Sequence, residues 1–195
     1  MTIDLTSMPS GSNPHGFTGA LTGRGAAVRW QVLDDASAPL GGKVIAETSA
    51  DSTDYRFPIC IYDGVTAKNV NVSVRFKPIA GSVDQAGGLI ARVKDSDNYY
   101  VARANALEDN VSLYKVVDGE RRKIAGYKGK VSHGDWHTLL LKVEGDLLEV
   151  AFDGKPVLQV RDGTFPGPGK AGLWTKADSL THFADLQINS IDKSN

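Results

Sequence analysis

Apolar and polar residues alternate in short runs along most of the chain, and nowhere do apolar residues recur at helical spacing over several turns. A period of two marks a β-strand, because successive side chains leave opposite faces of a sheet. The clearest run is 69–78, where Val70, Val72, Val74 and Phe76 alternate with Asn71, Ser73, Arg75 and Lys77. That is the pattern of a half-buried antiparallel strand. The stretch 98–119 (NYYVARANALEDNVSLYKVVDG) predicts two strands, 99–105 and 111–117. A polar loop joins them, and the pair Asp118-Gly119 is a strong hairpin-turn signal. Tyr99, Val101, Arg103 and Asn105 fall on one side of the first. Further strands are predicted over 28–33, 43–48, 57–62, 87–93, 121–127, 136–143, 147–152, 157–161, 172–176 and 183–191. Turns are predicted at 51–54, Asp63-Gly64, 94–97, 144–146 and Asp153-Gly154, and a single helical turn near 178–180. The stretch 162–169 (DGTFPGPG) is a loop, since its Gly and Pro residues break both helix and ladder. About a dozen strands at ~8–12-residue spacing predict an all-β sandwich or barrel.

Composition sharpens the domain picture. A chain of 195 residues fits one β domain. Residues 1–26 are rich in Gly, Ser, Thr and Pro and predict an extended arm; residues 27–195 form a single β-sandwich domain. Net charge is −1 with acids and bases intermixed, so there is no basic stripe of the kind nucleic acid selects. No run of ~18 apolar residues is present to span a membrane. The N-terminus lacks a charged n-region followed by an apolar h-region. An exported or periplasmic location is expected if a leader has been removed, and a cytoplasmic one otherwise. The one cysteine, Cys60, excludes an internal disulfide and sits in FPICIYD as a small buried apolar residue.

Several segments together resemble the concanavalin A-like, laminin G-like jelly roll. They are GGLIARVKDSDNYYVARANALEDNVSLYKVVDG, GDWHTLLLKVEGDLLEVAFDGKPVLQV and GKAGLWTKADSLTHFADLQI, covering residues 70–188, with 30–62 more weakly alike. Within that superfamily the sequence is similar to bacterial domains related to 3-keto-disaccharide hydrolases. The resemblance implies a two-sheet antiparallel jelly-roll sandwich with ligand on a concave sheet. Its motifs fall on Arg92, Arg103, Asn105, Tyr114, Trp174 and Lys176 as ligand-binding residues. It does not fix function, since the superfamily holds lectins, glycosidases, carbohydrate-binding modules and adhesion domains.

Other candidates are weaker on their residues. Glu144-Gly-Asp-Leu-Leu-Glu149 fits the E-x-D-x-x-E signature of family 16 endoglucanases, whose paired carboxyls act across a glycosidic bond. Here Gly145-Asp146 separates two apolar alternating runs, so the motif predicts a hairpin turn rather than a catalytic pair. Trp30 and Trp136 predict core positions. His137 and His182 lack metal-ligand spacing and predict hydrogen-bonded structural roles. Calcium at a rim would draw on Asp185 with Asp34 or Asp35, without the loop motif of a dedicated site. No cofactor is expected. The argued set is donor-rich and carboxylate-poor, which favours a saccharide-binding domain over catalysis. A glycan-processing hydrolase and a structural domain without ligand are the alternatives.

Overall fold

The structure, a computed structural model, describes residues 1–192. Its fourteen strands are β1 (Phe17–Gly23), β2 (Trp30–Asp34), β3 (Lys43–Glu47), β4 (Arg56–Ala67), β5 (Val70–Ala80), β6 (Ala86–Asp95) and β7 (Asn98–Asn105), followed by β8 (Asn110–Val117), β9 (Glu120–Lys128), β10 (His137–Glu144), β11 (Leu147–Phe152), β12 (Lys155–Arg161), β13 (Gly169–Trp174) and β14 (Leu180–Ser190). No helix occurs among the described residues. The strands form two antiparallel seven-stranded sheets, ordered β1-β4-β13-β6-β7-β8-β9 and β12-β11-β10-β5-β14-β3-β2. This is the two-layer sandwich that the alternating pattern implies.

The inner faces of both sheets supply the main core, including Val72, Val74 and Phe76 of β5, Leu139 and Leu141 of β10, and Leu89, Ala102 and Leu113 of the first sheet. A second apolar cluster lies on the opposite face of the first sheet: Phe57, Ile59, Ile90, Tyr99, Val101, Tyr114, Val116 and Trp174. No third sheet packs on it, yet Ile59, Ile90 and Val101 are wholly buried. Curvature explains this. Strands β4 and β9 stand second and seventh in the sheet, so a flat sheet would hold them ~24 Å apart. Instead, the Arg121 guanidinium of β9 lies 4.6 Å from the Phe57 ring of β4. The Tyr55 hydroxyl donates to the Gly119 carbonyl at 3.0 Å and accepts from the Arg121 amide at 3.0 Å. Twist and coiling bring two diagonal corners together and make this face a trough.

Three local expectations differ from the structure. Phe17–Gly23, read as part of an extended arm with little regular structure, is strand β1, which gains its order by pairing along β4. The arm before it packs on the domain: Ile3, Leu5 and Met8 are buried and the Ile3 amide donates to the Leu186 carbonyl at 2.9 Å. Asp63-Gly64 is not a turn but lies inside β4, just past the β1 pairing and within a register shift against β13. Asp63 itself bonds Thr18 and Lys170 on those two neighbours. Trp136 is not in the core. It lies half-buried before β10, with Lys77 over its ring at 5.0 Å and its indole N–H donating to the Ser37 hydroxyl at 3.1 Å.

Candidate functional site

Strand register decides which residues share the trough. Arg103 pairs with Gly88 on one side and Ser112 on the other, and Gly88 pairs with Trp174. Paired residues of an antiparallel ladder point to the same face. Trp174, Arg103 and Ser112 therefore form one row. Ala86, Asn105 and Asn110 form the next, and Ile90, Val101, Tyr114 and Lys123 the row on the other side. Gly88 is needed here, because a Cβ on it would meet the Trp174 ring at 3.2 Å and the Ala102 carbonyl at 2.8 Å. Its bare backbone lets the indole lie across β6.

The polar end of the trough is built from these rows and two loops. Arg103, 2 % exposed, donates through Nη2 to Glu108 Oε2 and Asn110 Oδ1, each at 2.7 Å. Asn105 is fully buried; its amide nitrogen donates to Asp84 and its oxygen accepts from the Leu107 amide at 2.8 Å. Lys176 reaches the same corner from beyond β13 and bridges Asp54 at 2.6 Å and Asp84 at 3.0 Å. The Asp84 loop is held by Asp178, whose carboxylate accepts from the Ser82, Val83 and Asp84 amides at 2.7 to 3.1 Å. Tyr114 sits between two cations, with the Arg103 and Arg121 guanidinium carbons 5.6 and 4.6 Å from its ring. Trp174 stacks on Phe57 at 5.4 Å beneath Arg121.

Ionisation follows from these partners. Burial works to raise the Glu108 pKa, but hydrogen bonds from Arg103 and Asn110 outweigh it and hold the carboxyl below its usual range. Burial likewise opposes charge on Lys176, and the bonds to Asp54 and Asp84 overcome it and raise its pKa. Both groups are charged at neutral pH.

Buried polar atoms without a partner concentrate here. Among the described residues six buried side-chain polar atoms have no protein partner, and Arg103 Nε, Ser112 Oγ, Arg121 Nη1 and Trp174 Nε1 are four of them, beside Trp30 Nε1 and Asn71 Oδ1. The first four lie on the trough face. Native proteins leave few such atoms unpaired.

The structure thus brings together Arg103, Asn105, Tyr114, Trp174 and Lys176. It does not bring Arg92 to them. Four residues further along β6 than Gly88, and so ~13 Å away along the strand, Arg92 sits in a register shift with φ of 51°. Its guanidinium donates to three main-chain carbonyls, those of Lys68 at 2.8 Å, Gly145 at 2.6 Å and Phe165. Asp84, Arg121 and Lys123 join the site without having been singled out from sequence, and Glu108, an acid the sequence offers as a partner for Arg92 or Arg103, pairs with Arg103. The two-residue turn Asp118-Gly119 has positive φ at both positions and sets Val117 opposite Glu120. That geometry puts Arg121 on the Tyr99 and Val116 face, so the turn signal held the information.

The remaining candidates lie elsewhere. Glu144 and Glu149 flank a hairpin on the other sheet and both bind Lys142, at 2.9 and 3.3 Å. His137 bonds Asp153 and the Ser132 carbonyl, and His182 bonds Asp35. Asp34 pairs with Lys43 and Asp35 with Lys77, while Asp185 accepts from Gln187. No group of three or more metal-ligating acidic, His or Cys side chains occurs among the described residues. A cleft of about 210 Å³ between the β1 and β2 edges is lined by Asn13, Pro14, Phe17, Gly19, Val28, Trp30 and Cys60, and carries no charged group.

Comparison with known proteins fits this architecture. The sequence is 33% identical over 89 residues to the levanase of Bacillus subtilis (strain 168), a match spanning 45% of this chain and 13% of the levanase. No protein-family model matches the sequence. The solved carbohydrate binding module CBM66 from Bacillus subtilis superposes with a TM-score of 0.71 at 22% identity, covering 90% of this chain and 96% of that one. A Bacillus subtilis protein of unknown function with a galectin-like fold gives 0.61 at 11% identity, covering 88% and 89%. The chain has the two-sheet antiparallel jelly-roll sandwich fold of these two solved structures.

Proposed function

We propose that the protein is a carbohydrate-binding domain whose saccharide lies in the trough of the first sheet, at the end bounded by Asp84, Arg103, Glu108, Tyr114 and Lys176. One observation carries this reading: four of the six buried polar atoms without a protein partner lie on that single face. A hydroxyl-rich ligand would supply acceptors to the guanidinium and indole donors and a partner to Ser112. Aromatic floor and polar wall suit a sugar ring, which has apolar C–H faces and polar edges. The similarity to a levanase segment and to a carbohydrate binding module supports the same reading.

The acids favour binding over hydrolysis. A glycosidase needs one carboxyl held protonated to serve as general acid. Glu108 is instead held ionised by Arg103, and Asp84 is committed to Asn105 and Lys176. Calorimetric titration with levan oligosaccharides, after the polymer for which the relative is named, and with a wider glycan set tests the reading. Saturable binding that Tyr114→Ala weakens in the folded protein is expected. Absence of binding to every glycan, or binding indifferent to Tyr114→Ala and Arg103→Ala, refutes it.

A further inference from the structure

The trough holds one more positive charge than its acids absorb: Glu108, Asp84 and Asp54 face Arg103, Lys176, Arg121 and Lys123. The acids bond Arg103 and Lys176, so the two cations of β9 have no bonded acid, although Asp84 and Asp54 act on Arg121 through space. Arg121 pairs with Val116 and Lys123 with Tyr114, which puts both on the trough face. The Arg121 guanidinium forms no hydrogen bond or ion pair with a described residue; it rests on the rings of Phe57, Tyr114 and Trp174. Lys123 lies over Gly126, where a Cβ would meet its ammonium at 2.7 Å and the Ser112 hydroxyl at 3.3 Å. Gly126 therefore gives Lys123 room to fold inward, beside the unpaired Ser112 hydroxyl.

Ring faces offset only part of the lost hydration of a guanidinium, since a cation over a ring is attracted but none of its N–H donors is satisfied. Burial accordingly pushes the Arg121 pKa below its usual value, although the group stays charged. A neutral sugar would satisfy donors but leave the net positive charge of the trough in place. We infer that the ligand is a saccharide bearing an oxyanion group, a carboxylate or a sulfate ester, seated between Arg121 and Lys123 with its ring toward Arg103 and Glu108. This rests on the trough being a saccharide site. Arg121 offers the planar fork that pairs with two oxygens at once, and Lys123 a point charge beside it.

The test is a glycan array of neutral fructans and galactans, uronate polymers and sulfated galactans. Calorimetry follows with an oligogalacturonide, its neutral methyl ester and a sulfated galacto-oligosaccharide, at low and at raised salt. Binding to acidic glycans is expected, weakened roughly tenfold or more by esterification and weakened by salt. The uronate and sulfate arms identify which oxyanion is taken. Arg121→Gln and Lys123→Gln should each lower affinity for the acidic glycan about tenfold, and Arg121→Lys less, as expected for charge-assisted contacts. Lys123 is exposed, so its variant stays folded even if the Arg121 variant does not. Salt-insensitive binding of neutral glycans, unchanged by Lys123→Gln, overturns the oxyanion and leaves the saccharide site standing. Failure of all glycans, acidic and neutral, overturns the saccharide site as well.

Discussion

Arg92 separates a structural arginine from a binding one, and its replacement tests the assignment of the trough. The guanidinium binds three carbonyls, of which Phe165 O is buried with it, while the Lys68 and Gly145 contacts are partly open to water. A hydrogen bond to a charged group contributes about 1.5–3 kcal/mol. Water can replace the two open contacts but not the buried one, so Arg92→Ala should cost about 3 kcal/mol. For a chain of this size, that is a fall in Tm of roughly 6–12 °C. The backbone adds a second signature. Arg92 has φ of 51°, a region that costs an L-residue ~1–2 kcal/mol and glycine almost nothing. Arg92→Gly should therefore be about 1 kcal/mol more stable than Arg92→Ala. Arg92→Lys, with a single point charge, should fall between Ala and the parent. Urea unfolding gives the stabilities, and glycan titration of the same proteins gives the affinities, which should not change. Loss of affinity with stability intact would refute this account and return Arg92 to the binding surface.

Other outcomes are equally concrete. Arg103→Ala should weaken binding of a confirmed glycan by ~1.5–3 kcal/mol while the fold persists, measured by calorimetry and thermal melting; unchanged affinity with lower stability would reduce Arg103 to a partner for Glu108. Glu144→Gln and Glu149→Gln should leave any glycoside-hydrolysing activity unaltered, since both side chains bond Lys142 beside a hairpin on the other sheet, and a thousandfold fall in turnover in a folded variant would contradict this. Burial opposes ionisation of Asp162, but hydrogen bonds from Lys115, Thr164 and Tyr100 outweigh it and lower its pKa from 3.8 to about 2. A depressed folded pKa gives stability that is present above pH ~4 and lost as pH falls toward 2, about 2 kcal/mol in all. Acid unfolding of Asp162→Asn should lack that part of the slope, and an unchanged slope would show that Asp162 is not the group responsible.

Where one sheet face is solvated, sequence and structure agree closely. The alternation of β5 assigns Val72 and Phe76 inward and Arg75 outward without ambiguity. In β6 and β7 both faces are buried, so alternation separates the faces but does not say which meets the other sheet. Parity also fails across a bulge. Arg92 lies at even spacing from Ile90, yet the register shift after Ala91 turns its side chain toward carbonyls that include Gly145 of the opposite sheet. Strand β1 is hard to read in the sequence because FTGALTG lacks a clean alternation and carries two glycines, which weaken a strand, and its order comes from pairing with β4. Asp63-Gly64 carries a turn signal that β4 absorbs as a register shift against β13. Arg121 hides in ERRK, which reads as a solvated edge until its register with Val116 is known. Asp84 is invisible for a different reason: it sits in a loop whose placement depends on Asp178, 94 residues away.

Strand β9 is the free border of its sheet. An unpaired border exposes a row of amides and carbonyls on which another chain can build, and charged side chains are a usual defence against that. The residues proposed to meet an acidic sugar are part of that defence. Ligand preference and resistance to edge-to-edge aggregation are then coupled through the same side chains. A variant line selected for neutral sugars by discarding Arg121 and Lys123 would also thin the charge on this border, leaving Glu120, Arg122 and Lys128. Its members should form soluble oligomers or fibres at concentrations where the parent chain stays dispersed, unless a proline or a new lysine on the outward side of β9 restores the guard.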